Sequence, residues 1–248
     1  MKTLFVACQD PASRTWAPVA RLTREDGRYH FAYTRGAKEL PSFVPFGRMT
    51  DLSSEYVSEK LFPLFANRVL PKSRPEYSDY LQWLGLSVAS HDALEELART
   101  GGLRATDTLE LIPCPAPSEG NRYEVFFFCR GLRHLSEENQ SRALQLQPGE
   151  RLFLAQDLQN SVDSTALLLR TGEPLTLVGY APRYYSADFT QLIKHVSAPE
   201  VAVTVERVNP HAPAQYRLLC KLSAPWPNGF APCAAGEYEP IAKSGYLT

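Results

Sequence analysis

The sequence predicts an α+β chain in two parts: N-terminal strands plus three helices, then a small six-stranded, partly open β-barrel with one helix. Three observations predict it. Apolar and polar residues alternate near the start with the period of half-buried strands. Three stretches between Ser54 and Gly102 carry apolar stripes at helical spacing. Beyond a proline-rich seam, six strand-like runs recur between turn signals, interrupted by one helical stripe. The seam, Ile112-Pro113-Cys114-Pro115-Ala116-Pro117-Ser118-Glu119-Gly120, reads as a linker, because closely spaced prolines continue neither a helix nor a central strand. It divides the chain into residues 1–117 and 118–248.

In the first part, Leu4-Phe5-Val6-Ala7 is an apolar strand and Val19-Ala20-Arg21-Leu22 a second. The turn at Glu25-Asp26-Gly27 leads into Tyr29-His30-Phe31-Ala32-Tyr33. Asp-Gly is a strong hairpin signal, since both central residues of the tight turn need positive φ. A helix is expected from Ser54, with Val57, Leu61, Leu64 and Phe65 on one stripe and a kink at Pro63. A second starts at Pro75, a favoured first-turn residue, and runs through Tyr77, Tyr80, Leu81 and Leu84 to Gly85. A third takes Ser90 as its N-cap, buries Leu94 and Leu97, and stops at Gly101-Gly102.

In the second part, strands are expected at Tyr123–Cys129, Arg151–Gln156, Ala166–Arg170, Leu175–Tyr180, Val201–Val208 and Tyr216–Ala224. The single helix is Ala187–Val196, capped by Ser186. Val208-Asn209-Pro210-His211-Ala212-Pro213 reads as a plain connector between the last two strands.

Composition narrows the function classes. The chain has 248 residues, 26 Lys+Arg against 27 Asp+Glu, and a net charge of −1. A protein that coats long duplexes through their phosphates normally carries a basic excess. A small pocket reading one strand end needs none. No run approaches the ~18 apolar residues of a membrane span, and the apolar start is too short for a signal peptide, so a cytoplasmic protein is expected. The five cysteines are scattered and never paired as CxxC, which fits neither zinc nor a disulfide framework. Cys8, Cys129 and Cys220 sit in strand-like runs and read as buried thiols.

Enzyme motifs are missing: no GxGxxG, Walker loop, GxSxG or HExxH, and no histidine pair at i,i+4. Nor is there a kinase-like set of catalytic and metal-binding residues. The expectation is a non-enzymatic protein with no catalytic residues, no metal and no cofactor.

Two resemblances add to this reading. Val19-Ala20-Arg21-Leu22-Thr23, Gly27-Arg28-Tyr29-His30-Phe31-Ala32-Tyr33 and Leu61-Phe62-Pro63-Leu64-Phe65-Ala66-Asn67-Arg68-Val69-Leu70-Pro71 resemble the N-terminal subdomain of HipA-type toxins. That resemblance implies a protein-binding module without a kinase of its own, and hence an adaptor. The rival reading is an antitoxin-like regulatory subunit of a HipA-type kinase.

The second half resembles the HIRAN domain in three pieces. They are Gly131-Leu132-Arg133-His134, the stretch from Leu152 to Ala166 containing Asp157-Leu158-Gln159-Asn160-Ser161-Val162-Asp163, and Val178-Gly179-Tyr180-Ala181-Pro182-Arg183-Tyr184-Tyr185. The resemblance implies a pocket for single-stranded nucleic-acid ends, 3′ ends in the fork-remodelling relatives. The candidate nucleic-acid-binding residues are Arg133, His134, Asn160, Asp163, Tyr180 and Arg183. Residue chemistry agrees with it. A carboxylate accepts a proton from a sugar hydroxyl and repels phosphate, so Asp163 between Arg133 and Arg183 suits a free 3′-hydroxyl. His134 and Tyr180 offer stacking surfaces for unpaired bases. In such a turn, Asn160 and Asp163 bond either their own backbone or a ligand. This chain departs from the 3′-end binders at Val162, where they place an aromatic, and at His134, where they place a tyrosine.

Overall fold

The structure is a computed structural model that describes residues 2–242. Contacts divide the chain into two compact units that interleave in sequence. One comprises residues up to Arg74, His91–Pro115 and the described residues after Phe230; the other comprises Pro75–Ser90 and Ala116–Phe230.

The first unit is a five-stranded antiparallel sheet in the order β4-β3-β2-β1-β5. Its strands are β1 (Thr3–Gln9), β2 (Trp16–Glu25), β3 (Arg28–Tyr33), β4 (Glu55–Ser58) and β5 (Leu109–Cys114). The β2–β3 hairpin closes as the Asp-Gly pair predicts, with Asp26 at φ 47° and Gly27 at φ 79°. The helix expected from Ser54 is not formed. Glu55-Tyr56-Val57-Ser58 pairs with β3 instead, and Pro63 begins a single helical turn, α2 (Pro63–Ala66), after the short α1 (Gly36–Glu39). Proline fits the first turn and breaks an interior, so the longer helix was never available.

The seam also differs from its expectation. Its leading residues form β5, in which Pro113 lies opposite Leu4 of β1. The strand is at the sheet edge, where a missing N–H costs no ladder bond. The helix α4 (Ala93–Thr100) is capped by Asp92, whose carboxylate accepts the Leu94 and Glu95 amides, rather than by Ser90. It buries Leu94 and Leu97 and ends on left-handed Gly101.

The second unit is a six-stranded antiparallel sheet in the order β6-β11-β10-β7-β8-β9. The strands are β6 (Arg122–Phe128), β7 (Arg151–Gln156), β8 (Leu167–Arg170), β9 (Leu177–Tyr180), β10 (Ala202–Val208) and β11 (Leu218–Pro225). All six lie where the sequence predicts them. The sheet curls until its edges meet: Arg130, just past β6, and Tyr180 exchange backbone hydrogen bonds of 2.8 and 2.9 Å. Between β7 and β10 only Val203↔Leu152 and Thr204↔Arg151 pair, and there the barrel stays open.

The helix α6 (Ser186–His195) brings Phe189 and Leu192 into the barrel core, with the Phe189 ring 5.6 Å from Phe127 and 5.1 Å from Tyr185. A second helix, α5 (Glu137–Leu144), corrects the expectation of one. Ser136 caps it by accepting the Asn139 amide, and Ala143 is its single buried residue. An apolar stripe that thin is invisible to periodicity.

The remaining helix, α3 (Tyr77–Trp83), is the one predicted from Pro75. It belongs to the second unit, although it precedes the seam. Asn209, in the stretch expected to be a plain connector, is 7 % exposed, and its amide donates to the carbonyls of Trp83 and Tyr216. The Tyr80 ring packs 5.8 Å from Tyr216. Cys129 and Cys220 are buried and Cys8 is partly buried; burial pushes the Cys129 thiol up to about 12.

Candidate functional site

Three segments meet at the end of the barrel where β6 and β9 close. The first is the turn after Gly131, the second is the loop between β7 and β8, and the third is the end of β9 with the 3₁₀ turn Arg183–Tyr185.

Backbone space sets the register of the site. Gly179 has φ +134°, and a Cβ there would stand 2.2 Å from the Cys129 sulfur and 2.6 Å from the Arg130 carbonyl oxygen. Only glycine lets β9 close against Arg130. Gly131 is left-handed at φ +74°, and the Tyr180 ring lies 3.0 Å from where its Cβ would be. The Tyr180 ring is therefore seated on the turn that carries Arg133 and His134.

From Tyr180 a chain of polar contacts runs through the β7–β8 loop. The Tyr180 hydroxyl donates to Asp157 Oδ2 at 3.0 Å, and the Asn160 side-chain amide donates to the same oxygen at 3.1 Å. Asn160 Oδ1 accepts the Val162 and Asp163 amides at 3.0 and 2.9 Å. Asp163 Oδ1 accepts the amide and hydroxyl of Thr165. Its other oxygen, Oδ2, faces Arg183 Nε at 3.8 Å, an ion pair longer than a hydrogen bond. Burial, and then the Asp157 carboxylate, raise the Tyr180 hydroxyl above its ordinary value, so it stays a donor.

Asn160, Asp163, Tyr180 and Arg183 are thus joined in one connected network. Arg133 and His134 lie on the neighbouring turn, both exposed, with Arg133 Nε donating to His134 Nε2 at 3.0 Å. No direct contact joins that pair to Asp163. Asn160 and the Oδ1 of Asp163 staple the loop, while Asp163 Oδ2 is left to the arginine side.

Asp157 is the residue that reasoning from sequence missed. It stands at the end of an apolar strand, inside the quoted motif, and a carboxylate leaving a strand for a turn was the available signal. The loop tip carries two exposed apolar side chains, Leu158 at 79 % and Val162 at 87 % exposure. Among the described residues, no group of three or more His, Cys, Asp or Glu side chains is placed to hold a metal. No described helix is long and apolar enough to cross a membrane.

Comparison with known proteins concerns the second half of the chain. The HIRAN domain family model matches residues 123–227. Among solved structures, a protein from Lactobacillus plantarum is 17 % identical, with a TM-score of 0.31, covering 41 % of this chain and 95 % of that one. The HIRAN domain of human HLTF is 14 % identical, with a TM-score of 0.30, covering 44 % of this chain and 84 % of that one. No curated protein matches. The resemblance of the first half to the HipA subdomain gains no support from these comparisons. The second half of this chain carries a HIRAN domain, over residues 123–227.

Proposed function

We propose that the second half binds single-stranded nucleic-acid ends, 3′-hydroxyl ends in particular, and that it does so without catalysis. One observation carries this reading: Asp163 Oδ2, held in place by a loop that already satisfies its partner oxygen, next to the guanidinium of Arg183. An oriented carboxylate accepts a hydroxyl proton and disfavours a terminal phosphate, while arginines draw the preceding phosphates. Tyr180, fixed by Asp157 and Gly131, supplies a ring edge beside them, and Leu158 and Val162 supply apolar contact at the tip. The family match over residues 123–227 supports nucleic acid as the ligand class.

The test is fluorescence anisotropy with 3′-hydroxyl and 3′-phosphate single strands and a blunt duplex. The 3′-hydroxyl strand is expected to bind most tightly. Arg133→Ala and Arg183→Ala each weaken binding and lower the salt slope by about 0.7 per lost phosphate contact. Equal binding of all three ligands would sink the end-recognition reading.

In the same proposal the first unit supplies the protein-binding half of an adaptor. Pull-downs with variants of each unit in the full chain test that, and partners held by the second unit alone would refute it.

A further inference from the structure

The end site leaves a second feature of the barrel unexplained. Where β7 and β10 part, a groove of about 420 Å³ opens, lined by Arg151, Phe153, Arg170, Ile193, Pro199 and Val201 among others. Arg151 and Phe153 are two residues apart on β7 and so share a face. Arg170 is the cross-strand partner of Phe153. Both guanidinium groups lie over the Phe153 ring, at 5.6 Å for Arg151 and 5.0 Å for Arg170. Backbone carbonyls of Pro199 and Val201 hold Arg151, and that of Thr171 holds Arg170. Among the described residues, no carboxylate lies within 4.0 Å of either guanidinium. Two cations are thus stacked on one ring and oriented by carbonyls that carry no full charge.

The groove also points somewhere. Leu154 and Ile193 line it and equally line an adjoining depression of about 200 Å³, whose other walls include Gln156, Leu167, Thr190 and Lys194. Gln156 and Leu167 are the strand ends that flank the Asp157–Ala166 loop. Along β7, Phe153 is about 13 Å from Asp157 at the usual strand rise.

Resting on the end-binding reading above, we propose that this groove is a second subsite for the same strand. It takes an internal nucleotide, with one of its two flanking phosphates on Arg151 and the other on Arg170, and a base in the apolar slot beside Phe153 and Ile193. Stacked arginines present their N–H edges to phosphate, and an aromatic within a basic groove is the usual equipment for tracking a single strand without reading its sequence. The subsite explains how a chain of net charge −1 holds a polyanion. Two of the cations are concentrated on one ring.

Anisotropy on the full chain tests this with a 3′-hydroxyl trinucleotide and a strand of about 12 nucleotides, within the footprint of single-strand-binding barrels. The longer strand is expected to bind about tenfold more tightly. Arg151→Gln with Arg170→Gln removes that gain and lowers the salt slope by about 1.4, two contacts at about 0.7 each. Trinucleotide affinity and the 3′-hydroxyl preference stay unchanged. Arg151→Lys with Arg170→Lys keeps the slope, and Phe153→Leu loses part of the gain with the slope intact. If the paired glutamines unfold the domain, Arg170→Gln alone carries the same test with half the slope change. A folded glutamine variant that binds the longer strand like the parent overturns the subsite. So does an acidic peptide that occupies the groove while strand length makes no difference. If the groove variants act as expected but the parent shows no 3′-hydroxyl preference, the end reading fails and the groove stands. If no strand binds, both fail.

Discussion

The loop after β1 and the loop after β7 use the same chemistry to opposite ends. In the first, Asp10 Oδ1 accepts the amides of Ala12 and Ser13 and the Ser13 hydroxyl, while Oδ2 takes the hydroxyl of Ser42. Both oxygens are used, and the residue is 5 % exposed. In the second, Asn160 and Asp163 staple the loop in the same manner, but Asp163 Oδ2 keeps only a long ion pair to Arg183. A fully used carboxylate builds a turn. One with an oxygen to spare beside an arginine keeps acceptor capacity, which the end site proposed above would use. Residue type and spacing are alike in the two loops, so the surroundings of the second oxygen make the distinction.

The largest expected effect tests whether the second loop depends on a fixed Tyr180. Gly179→Ala drives a Cβ into the Cys129 sulfur and the Arg130 carbonyl at a left-handed φ. Overpacking plus backbone strain is expected to cost about 3 kcal/mol or more. Chemical denaturation reads it, and binding should fall with the fold. A variant of parental stability would mean that β9 closes against Arg130 less tightly than described.

The next effect separates the two units by pH. In the second unit, burial raises the Asp188 carboxyl from 3.8 to about 6, although the Tyr123 hydroxyl donates to it. Its folded state therefore holds the proton more tightly than the unfolded chain. The extra stability is full below about 3.8 and is lost as pH rises through about 6. Asp10 and Asp51 run the other way. Hydrogen bonds from Ser42 and from Ser54 respectively lower each to about 2, so their contribution is present above 3.8 and lost as pH falls toward 2. Asp188→Asn keeps an acceptor for Tyr123 and is expected to stabilise the protein at pH 7 by about 2 kcal/mol, discounted for partial exposure. Melting curves between pH 4 and 8 decide it, and an unchanged pH profile in the variant would rule out Asp188 as the source.

A direct exchange of roles follows. Asp10→Ala is expected to lower the melting temperature by several degrees while leaving strand binding untouched. Asp163→Ala should leave stability nearly as it is and reduce the preference for 3′-hydroxyl over 3′-phosphate ends. If both variants lose stability alike and the preference survives, the second loop is only a turn. The smallest effect sharpens the picture at the tip. Val162→Trp, at a position 87 % exposed, should leave the melting point unchanged and tighten strand binding by up to about tenfold, through one added stack.

How much of this was legible in the sequence differs between the units for physical reasons. The six barrel strands were readable because each alternates or runs apolar between Gly, Pro and Asn turns. In the first unit, Val57 and Phe65 share a helical stripe by spacing alone. Val57 instead belongs to an edge strand and is 49 % exposed, while Phe65 is fully buried. Spacing cannot see which residues pair with a neighbouring strand. The site was legible as residue types in order, and Asn160, Asp163, Tyr180 and Arg183 do come together. What could not be read was the connection through Asp157, because a hydrogen bond from Tyr180 across 23 positions leaves no local trace. Arg151, Phe153 and Arg170 escaped for a similar reason: Arg170 meets Phe153 only through strand pairing.

The interleaving of the two units sets an order on biosynthesis. Ile241 donates its amide to the Tyr33 carbonyl, Arg35 donates to the Glu239 carbonyl, and the Tyr238 ring stands 4.8 Å from Phe5. These partners of the first sheet emerge from the ribosome only after the whole barrel has been made. Conversely, helix α3 is translated before the seam and must wait for Asn209 and Tyr216. Neither unit can be finished on its own stretch of chain, so a nascent chain stalled in the barrel leaves both incomplete, with the apolar surfaces meant for late-arriving segments still open to chaperones and proteases.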